Sequence, residues 1–331
     1  MHDGNLSTIQ FRSVSFGYTK NQLIFDNCNL NVAIRPGSII SVIGPSGCGK
    51  TTFLRLILGL EKSEGVQVLP KDSAFGYVPQ EPVILDHLSI ADNARLLGEV
   101  GRQAGRFSEP RFQKLTDMLG LRSILSSNSS CLSLSGGEKQ RLMLLRAFSV
   151  APDFILLDEP CTGMDAVVKQ RFLISLRELV DETKAIAVYV SHHSDEIQAV
   201  SNQVMFLEQS TETNSIKNGI CRPSAEFFQK PPTVLSAMLL FAPFATVLPV
   251  HRVKQDIAFP SEAYYVLIRS SNLCASGKLE VSSEVKIVAL ETDSKLFVAN
   301  SNNVSGEKIT LKGEILLYDS MGNYCSTVMF E

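Results

Sequence analysis

Ile39-Ile40-Ser41-Val42-Ile43-Gly44-Pro45-Ser46-Gly47-Cys48-Gly49-Lys50-Thr51 joins an apolar run directly to a glycine-rich loop. The run has the length and β-branched composition of a buried strand. The eight residues from Gly44 match G-x-x-x-x-G-K-[ST] in full. A helix-like segment, Thr51 to Leu60, follows. In this context of strand, loop and helix the glycines let backbone N–H groups turn inward and, with the helix N-terminus, cradle phosphate oxygens. Residues Gly44 to Thr51, together with Thr52, are therefore the candidate nucleotide-binding set. Lys50 brings a positive charge to the β- and γ-phosphates, and Thr51 offers a hydroxyl to Mg²⁺, which takes hard oxygen ligands.

A second apolar run, Phe154-Ile155-Leu156-Leu157, ends in Asp158-Glu159-Pro160. Two acids at the C-terminal end of a buried strand lie at the edge of an open α/β sheet where ligands bind. Asp158 is a candidate for the Mg²⁺ shell and Glu159 a candidate general base, since such chemistry rests on positioning and charge stabilisation. Spacing alone leaves open which acid is catalytic. The runs Ile39–Ile43, Phe154–Leu157 and Ile186–Val190 alternate with a helical pattern at Val168, Phe172, Leu176, Leu179 and Val180. This alternation predicts an α/β fold around a mostly parallel, buried sheet.

The period changes in the C-terminal third. Ile309, Leu311, Ile315 and Leu317 alternate with Lys308, Thr310, Lys312 and Glu314, and similar runs recur at 263–269, 284–291, 296–299 and 324–330. A small antiparallel barrel or sandwich is the expectation. Pro231 to Val250 carries no charge for 20 residues but holds four prolines, which predicts a short apolar helix and a packed linker instead of a membrane span. The 331 residues carry 31 Lys and Arg against 34 Asp and Glu, a net charge of -3, so no basic excess marks a nucleic-acid binder. Seven scattered cysteines without a C-x-x-C pair point to a reducing compartment. MHDGNLSTIQ has neither the basic start nor the apolar core of a secretory leader, which predicts a cytoplasmic protein.

Between the two phosphate-facing motifs stands Leu134-Ser135-Gly136-Gly137-Glu138-Lys139-Gln140-Arg141, a second helix start rich in small residues. With it, the chain resembles the ATP-binding cassette (ABC) ATPases over about residues 7–235. The resemblance implies a RecA-like P-loop core with a small helical subdomain at about 81–134. It also implies that Ser135, Gly136, Gly137 and Glu138 complete the ATP site of a partner subunit. Tyr18 resembles the aromatic that stacks on adenine. Gln80, in YVPQEP, resembles the glutamine that reaches Mg²⁺ and the attacking water. Asp165, in TGMD, resembles the interface loop of the family, and His192 the switch histidine at the γ-phosphate, with His193 standing where the family commonly has aspartate. Ser194 is a plausible cap for the helix that follows.

A single P-loop and signature, with only 54 residues between Gln80 and Ser135, exclude tandem cassettes and long coiled-coil ATPases. The segment from Gly219 to Leu240 resembles the end of cassettes from bacterial importers that carry an OB-like TOBE module. The organisation expected is a cassette at 1–235, a linker at 236–260 and a β-rich TOBE-like domain at 261–331. The resemblance implies an energy-coupling ATPase peripheral on the inner face of the membrane. It would form a homodimer, or pair with a paralogous cassette, around ATP and Mg²⁺ and dock on transmembrane permease subunits served by a solute-binding protein. A soluble regulatory ATPase or an exporter cassette is the alternative, and the apolar Pro82-Val83-Ile84-Leu85 is a candidate docking surface.

Overall fold

A computed structural model describes residues 6–19, 22–127, 129–210, 213–241, 245–249, 253–254, 265–269, 273–274, 280–281, 287–289, 297–299, 310–311, 313–318 and 324–330. The chain divides into two compact units, Met1–Ser224 and Ala225–Glu331.

In chain order the first unit holds β1 (Ser7–Phe16), β2 (Phe25–Ile34), β3 (Ile39–Ile43), α1 (Lys50–Ile57), β4 (Val66–Leu69) and β5 (Phe75–Val78). Four short helices follow: α2 (Ile90–Arg95), α3 (Gly98–Gln103), α4 (Glu109–Met118) and α5 (Arg122–Leu125). The unit is completed by α6 (Gly136–Ser149), β6 (Phe154–Asp158), α7 (Ala166–Thr183), β7 (Ile186–Val190), α8 (Ser194–Val200), β8 (Gln203–Gln209) and β9 (Ile216–Pro223). Nine strands form one sheet in the order β4-β1-β2-β9-β8-β3-β7-β6-β5. From β8 to β5 every pairing is parallel, whereas β4-β1-β2 form an antiparallel arm.

The parallel strands read as unbroken apolar runs because both of their faces are covered. Ile155, Leu157, Ala187 and Tyr189 point into a core shared with Leu144 and Phe148 of α6 and with Phe172 and Leu176 of α7. Phe154, Leu156, Ile186 and Val188 point the other way, into a core with Phe53 of α1 and with Phe11 and Phe25 of the antiparallel arm. Side chains alternate across a strand, so one run feeds two cores. Each fully buried phenylalanine contributes on the order of 1.5–3 kcal/mol. Of the stripe expected on α7, Phe172, Leu176, Leu179 and Val180 are buried, while Val168 at its start is half-buried. The region after Gln80 is helical as the resemblance implied, α2 to α5 lying within residues 90–125.

Helix α9 (Ser224–Gln229) enters the second unit and α10 (Val234–Phe241) lies within it. The reason α10 starts where it does is a reciprocal cap: the Thr233 hydroxyl accepts from Ser236 N–H at 3.1 Å, and the Ser236 hydroxyl accepts from Thr233 N–H at 3.0 Å. The uncharged Pro231–Val250 stretch therefore opens with the expected short helix. Where a linker was expected, however, Ala245–Pro249 is a strand, because it finds a ladder partner in Tyr265–Arg269. That sheet continues through Gly313–Tyr318 to Tyr324–Phe330. Among the described residues beyond Phe241 every element is a strand and every pairing is antiparallel. Ile309 and Lys308, which begin the alternation read from the sequence, lie outside the described residues. Among the described residues no helix is long and apolar enough to cross a membrane.

Candidate active site

The phosphate loop is built by the end of β3 and the start of α1. Gly49, the residue before α1, has φ +111°, and a Cβ there would come within 2.3 Å of Ile24 Cγ2, so only glycine lets the chain turn into the helix at this point. Lys50 is 7% exposed, and its amine donates to the carbonyls of Gly44 at 3.0 Å and Pro45 at 2.9 Å, which folds the side chain back over the loop. Thr52 is buried beneath the helix start, while Thr51 is exposed. Cys48 packs against Gly44, and burial pushes its thiol above the usual range, against the opposing pull of the Lys50 charge. A Cβ on Gly44 would lie 2.8 Å from Cys48 Sγ, so the loop closes on itself at that contact.

The strand ladder brings the other candidates to the same edge. In register, Val78 pairs with Leu157, Asp158 with Val190, and Val42 with Val190. Gln80, Glu159 and His192 each follow these partners by one or two residues, so three side chains remote in sequence leave one sheet edge side by side. Glu159 is the hub. Its Oε2 accepts from Gln80 Nε2 at 3.3 Å, and its Oε1 lies 3.1 Å from His192 Nδ1. Its N–H donates to Val190 O at 2.9 Å, which holds the residue in a left-handed conformation with φ +43°. Asp158 beside it is 3% exposed. Burial pushes its carboxyl above the ordinary range, a hydrogen bond with Thr51 opposes that, the Glu159 charge adds to it, and the Lys50 charge opposes it.

Among the described residues no group of three His, Cys, Asp or Glu side chains is placed to hold a metal ion. A buried carboxylate hydrogen-bonded to a threonine hydroxyl, with an amide one strand away, is instead the sparse hard-oxygen set that suits Mg²⁺, which keeps much of its water and is completed by phosphate oxygens. The residues present therefore fit the ion.

The remaining candidates are placed elsewhere. Ser135 caps α6 in a full capping box: its hydroxyl accepts from Glu138 N–H at 3.3 Å, while Glu138 accepts from Ser135 N–H at 2.8 Å. Gly136 has open space above it, but a Cβ on Gly137 would meet Val168 Cγ1 at 2.6 Å, so small residues here let α6 approach α7. Among the described residues Ser135 to Glu138 share no hydrogen bond or ion pair with the phosphate loop. Asp165 caps α7, accepting from Val167 and Val168 N–H, each at 3.0 Å. Tyr18 is 57% exposed, with its ring edge-on to Phe16, so one face is open to stacking. Val83 is exposed, whereas Ile84 packs partly on the core.

Two residues escape sequence reading. Gln140 is buried on α6 and donates to Gln80 O at 3.3 Å, tying the helix that begins with Ser135–Glu138 to the loop that carries Gln80. Glu196 stands in the acidic first turn of α8, a placement that by itself signals nothing. The structure buries it, and α8 has no side-chain cap: His193 occupies the capping position and Ser194 is already helical. Ser194 thus stands one residue past the capping position, and the Ser191 hydroxyl accepts the His193 N–H at 3.0 Å.

A parallel-stranded core with this loop, acid pair and helical insertion is the P-loop ATPase fold of the ABC type. Residues 28–162 match the ABC transporter family model. The sulfate/thiosulfate import ATP-binding protein CysA 1 of Shewanella oneidensis is 36% identical over 192 residues, which is 54% of this chain and 50% of that protein. Its counterpart cysA of Cucumis sativus is 32% identical over 212 residues, 60% of each chain. The chain thus spans about half the length of the curated relatives it matches. Among solved structures, a bacterial Atm1-family ABC exporter with ATP bound has the same fold, with TM-score 0.57 and 23% identity over 71% of this chain and 42% of the exporter.

Proposed function

We propose that the chain is the ATP-hydrolysing, energy-coupling subunit of a membrane importer. The observation that carries this reading is the meeting of Gln80, Glu159 and His192 at 3.3 and 3.1 Å beside a complete phosphate loop. In this reading Gly44 to Thr52 bind the ATP phosphates, Tyr18 stacks on the adenine, and Thr51, Asp158 and Gln80 hold Mg²⁺. The ion, when bound, neutralises charge that develops on the β- and γ-phosphates. Glu159 takes a proton from the attacking water, Gln80 orients that water, and His192 contacts the γ-phosphate while holding the Glu159 carboxylate in place.

Two copies, or this chain and a paralogous cassette, sandwich the nucleotides, with Ser135, Gly136, Gly137 and Glu138 of one facing the phosphate loop of the other and Asp165 crossing between them. Permease subunits dock near Val83, and the antiparallel tail acts as a TOBE-like regulatory module behind a cassette at 1–235. The protein then sits on the inner face of the membrane. The relatives named for sulfate and thiosulfate import make a tetrahedral oxyanion delivered by a solute-binding protein the first substrate class to test.

The experiment is ATP hydrolysis with nucleotide affinity measured alongside. Lys50→Ala abolishes ATP binding, whereas Glu159→Gln keeps ATP affinity and loses hydrolysis by about a hundred- to ten-thousandfold. Unchanged hydrolysis in the Glu159→Gln protein removes that residue from the base role. Capture of the chain from gently solubilised membranes then reads the partner: a polytopic permease supports the importer reading, and recovery without any membrane partner overturns it.

A further inference from the structure

Glu196 lies in the first turn of α8, where an acid ordinarily faces water and the helix dipole. Its neighbour Asp195 does this, exposed and paired with Lys169 at 2.7 Å. Glu196 is instead 2% exposed. A buried carboxylate is costly unless its oxygens are satisfied. Here Oε2 accepts from the Tyr189 hydroxyl at 2.8 Å and from the Ser191 hydroxyl at 2.7 Å, and Oε1 lies 3.6 Å from Lys169 Nζ.

These partners surround the turn that carries His192. Ser191 precedes it, and the same Ser191 oxygen that donates to Glu196 accepts from His193 N–H, which follows it. The turn is thereby held on both sides of His192 by a single hydroxyl whose rotamer the Glu196 carboxylate sets. The Tyr189 hydroxyl also lies 3.5 Å from Cys161 Sγ, two residues beyond Glu159, and Lys169 stands on α7 one turn after its Asp165 cap. One buried carboxylate therefore connects the segment after Glu159, the start of α7 and the turn that presents His192.

We infer that Glu196 is a positioning residue: through Ser191 it fixes the 191–193 turn so that the His192 imidazole faces Glu159. This inference rests on the hydrolytic reading above. Misplacement of a reacting group by about 1 Å costs on the order of a hundredfold in rate. Deleting the anchor changes turnover and leaves ATP binding, which is made elsewhere by the phosphate loop.

The test is steady-state ATP hydrolysis and Mg²⁺-ATP affinity for the full chain, its Glu159→Gln reference, Glu196→Gln, Ser191→Ala and the double variant. Ser191→Ala removes one buried hydroxyl and leaves the Glu196 charge with its Tyr189 and Lys169 partners, so it is the milder change, and retained nucleotide affinity reports the fold of each variant. The expected result is a kcat lowered about tenfold or more in both single variants with KM for ATP within about twofold. The double variant is no slower than the worse single, because both changes cut one path. A kcat within about twofold of the unmodified chain in Ser191→Ala overturns the inference, as does a double variant whose loss is the product of the two singles. If the unmodified chain hydrolyses no ATP, the hydrolytic reading itself has failed and the inference falls with it. Active chain, inactive Glu159→Gln and unaffected Ser191→Ala is the pattern that sinks the positioning role alone.

Discussion

Gly49 shows how much one residue type decides at the phosphate loop. Its left-handed φ and the 2.3 Å approach of a Cβ to Ile24 Cγ2 mean that any side chain must strain the backbone and displace a neighbour at once. Such strain costs about 1–3 kcal/mol before the clash is counted. Gly49→Ala is therefore expected to lower the melting temperature and to weaken ATP binding together, read by thermal unfolding and nucleotide titration. A melting temperature equal to that of the unmodified chain would show that the loop relaxes freely. Gly47 also has a positive φ but meets nothing within 4 Å, so substitution there is strained without being crowded.

Among the elements, the helical region between Gln80 and Ser135 is held together by pairs that no periodicity announces. Arg95 at the end of α2 grips Glu109 at the start of α4 through two bonds of 2.7 and 2.6 Å, and its guanidinium lies 4.3 Å from the Phe112 ring centroid. The Arg95 hydrogen bond, helped by Gln113, pulls the Glu109 carboxyl down to about 2. Its contribution to stability is thus present above the ordinary carboxylate range and is lost as pH falls through that range towards about 2. Both side chains are part-exposed, so Glu109→Gln costs only about 0.5 kcal/mol at neutral pH. Arg95→Ala costs more, by roughly another 0.5–1 kcal/mol, because the ring contact goes too. Chemical denaturation at pH 7 and pH 3 checks both, and an Arg95→Ala loss that does not shrink on acidification contradicts the pair's role. Deeper in the same region, buried Arg146 of α6 donates to Asn93 O at 3.0 Å and Val83 O at 2.9 Å, which anchors the loop leaving Gln80 to the helix that starts at Ser135.

For the whole molecule, the placement of Ser135–Glu138 away from the phosphate loop of the same chain carries the largest consequence. Under the function proposed above, this helix start acts on the phosphate loop of a second copy. Glu159→Gln, which binds ATP without turning it over, is expected to shift from monomer to dimer on adding ATP and Mg²⁺, as read by sedimentation velocity. A Glu159→Gln protein that binds ATP and stays monomeric at all concentrations argues against the two-copy site.

The sequence by itself determined what short-range chemistry controls. The phosphate loop is contiguous, its glycines and lysine lie within eight residues, and the strand before it is a run whose apolarity reports burial on both faces. Asp158-Glu159 at a strand end and the capped helix at Ser135 were legible for the same local reason. Only the tertiary structure decided the rest. Strand order, including the antiparallel arm β4-β1-β2, depends on pairings between distant residues. The ladder register set which histidine faces Glu159, placing His192 Nδ1 at 3.1 Å while His193 spends its N–H on Ser191. Packing, not position along α8, turned Glu196 inward, because the Tyr189 and Ser191 hydroxyls reach it only after β7 and α8 have docked. A single strand or helix carries no record of the partner that will satisfy its buried polar atom, and that partner is chosen when the elements close on one another.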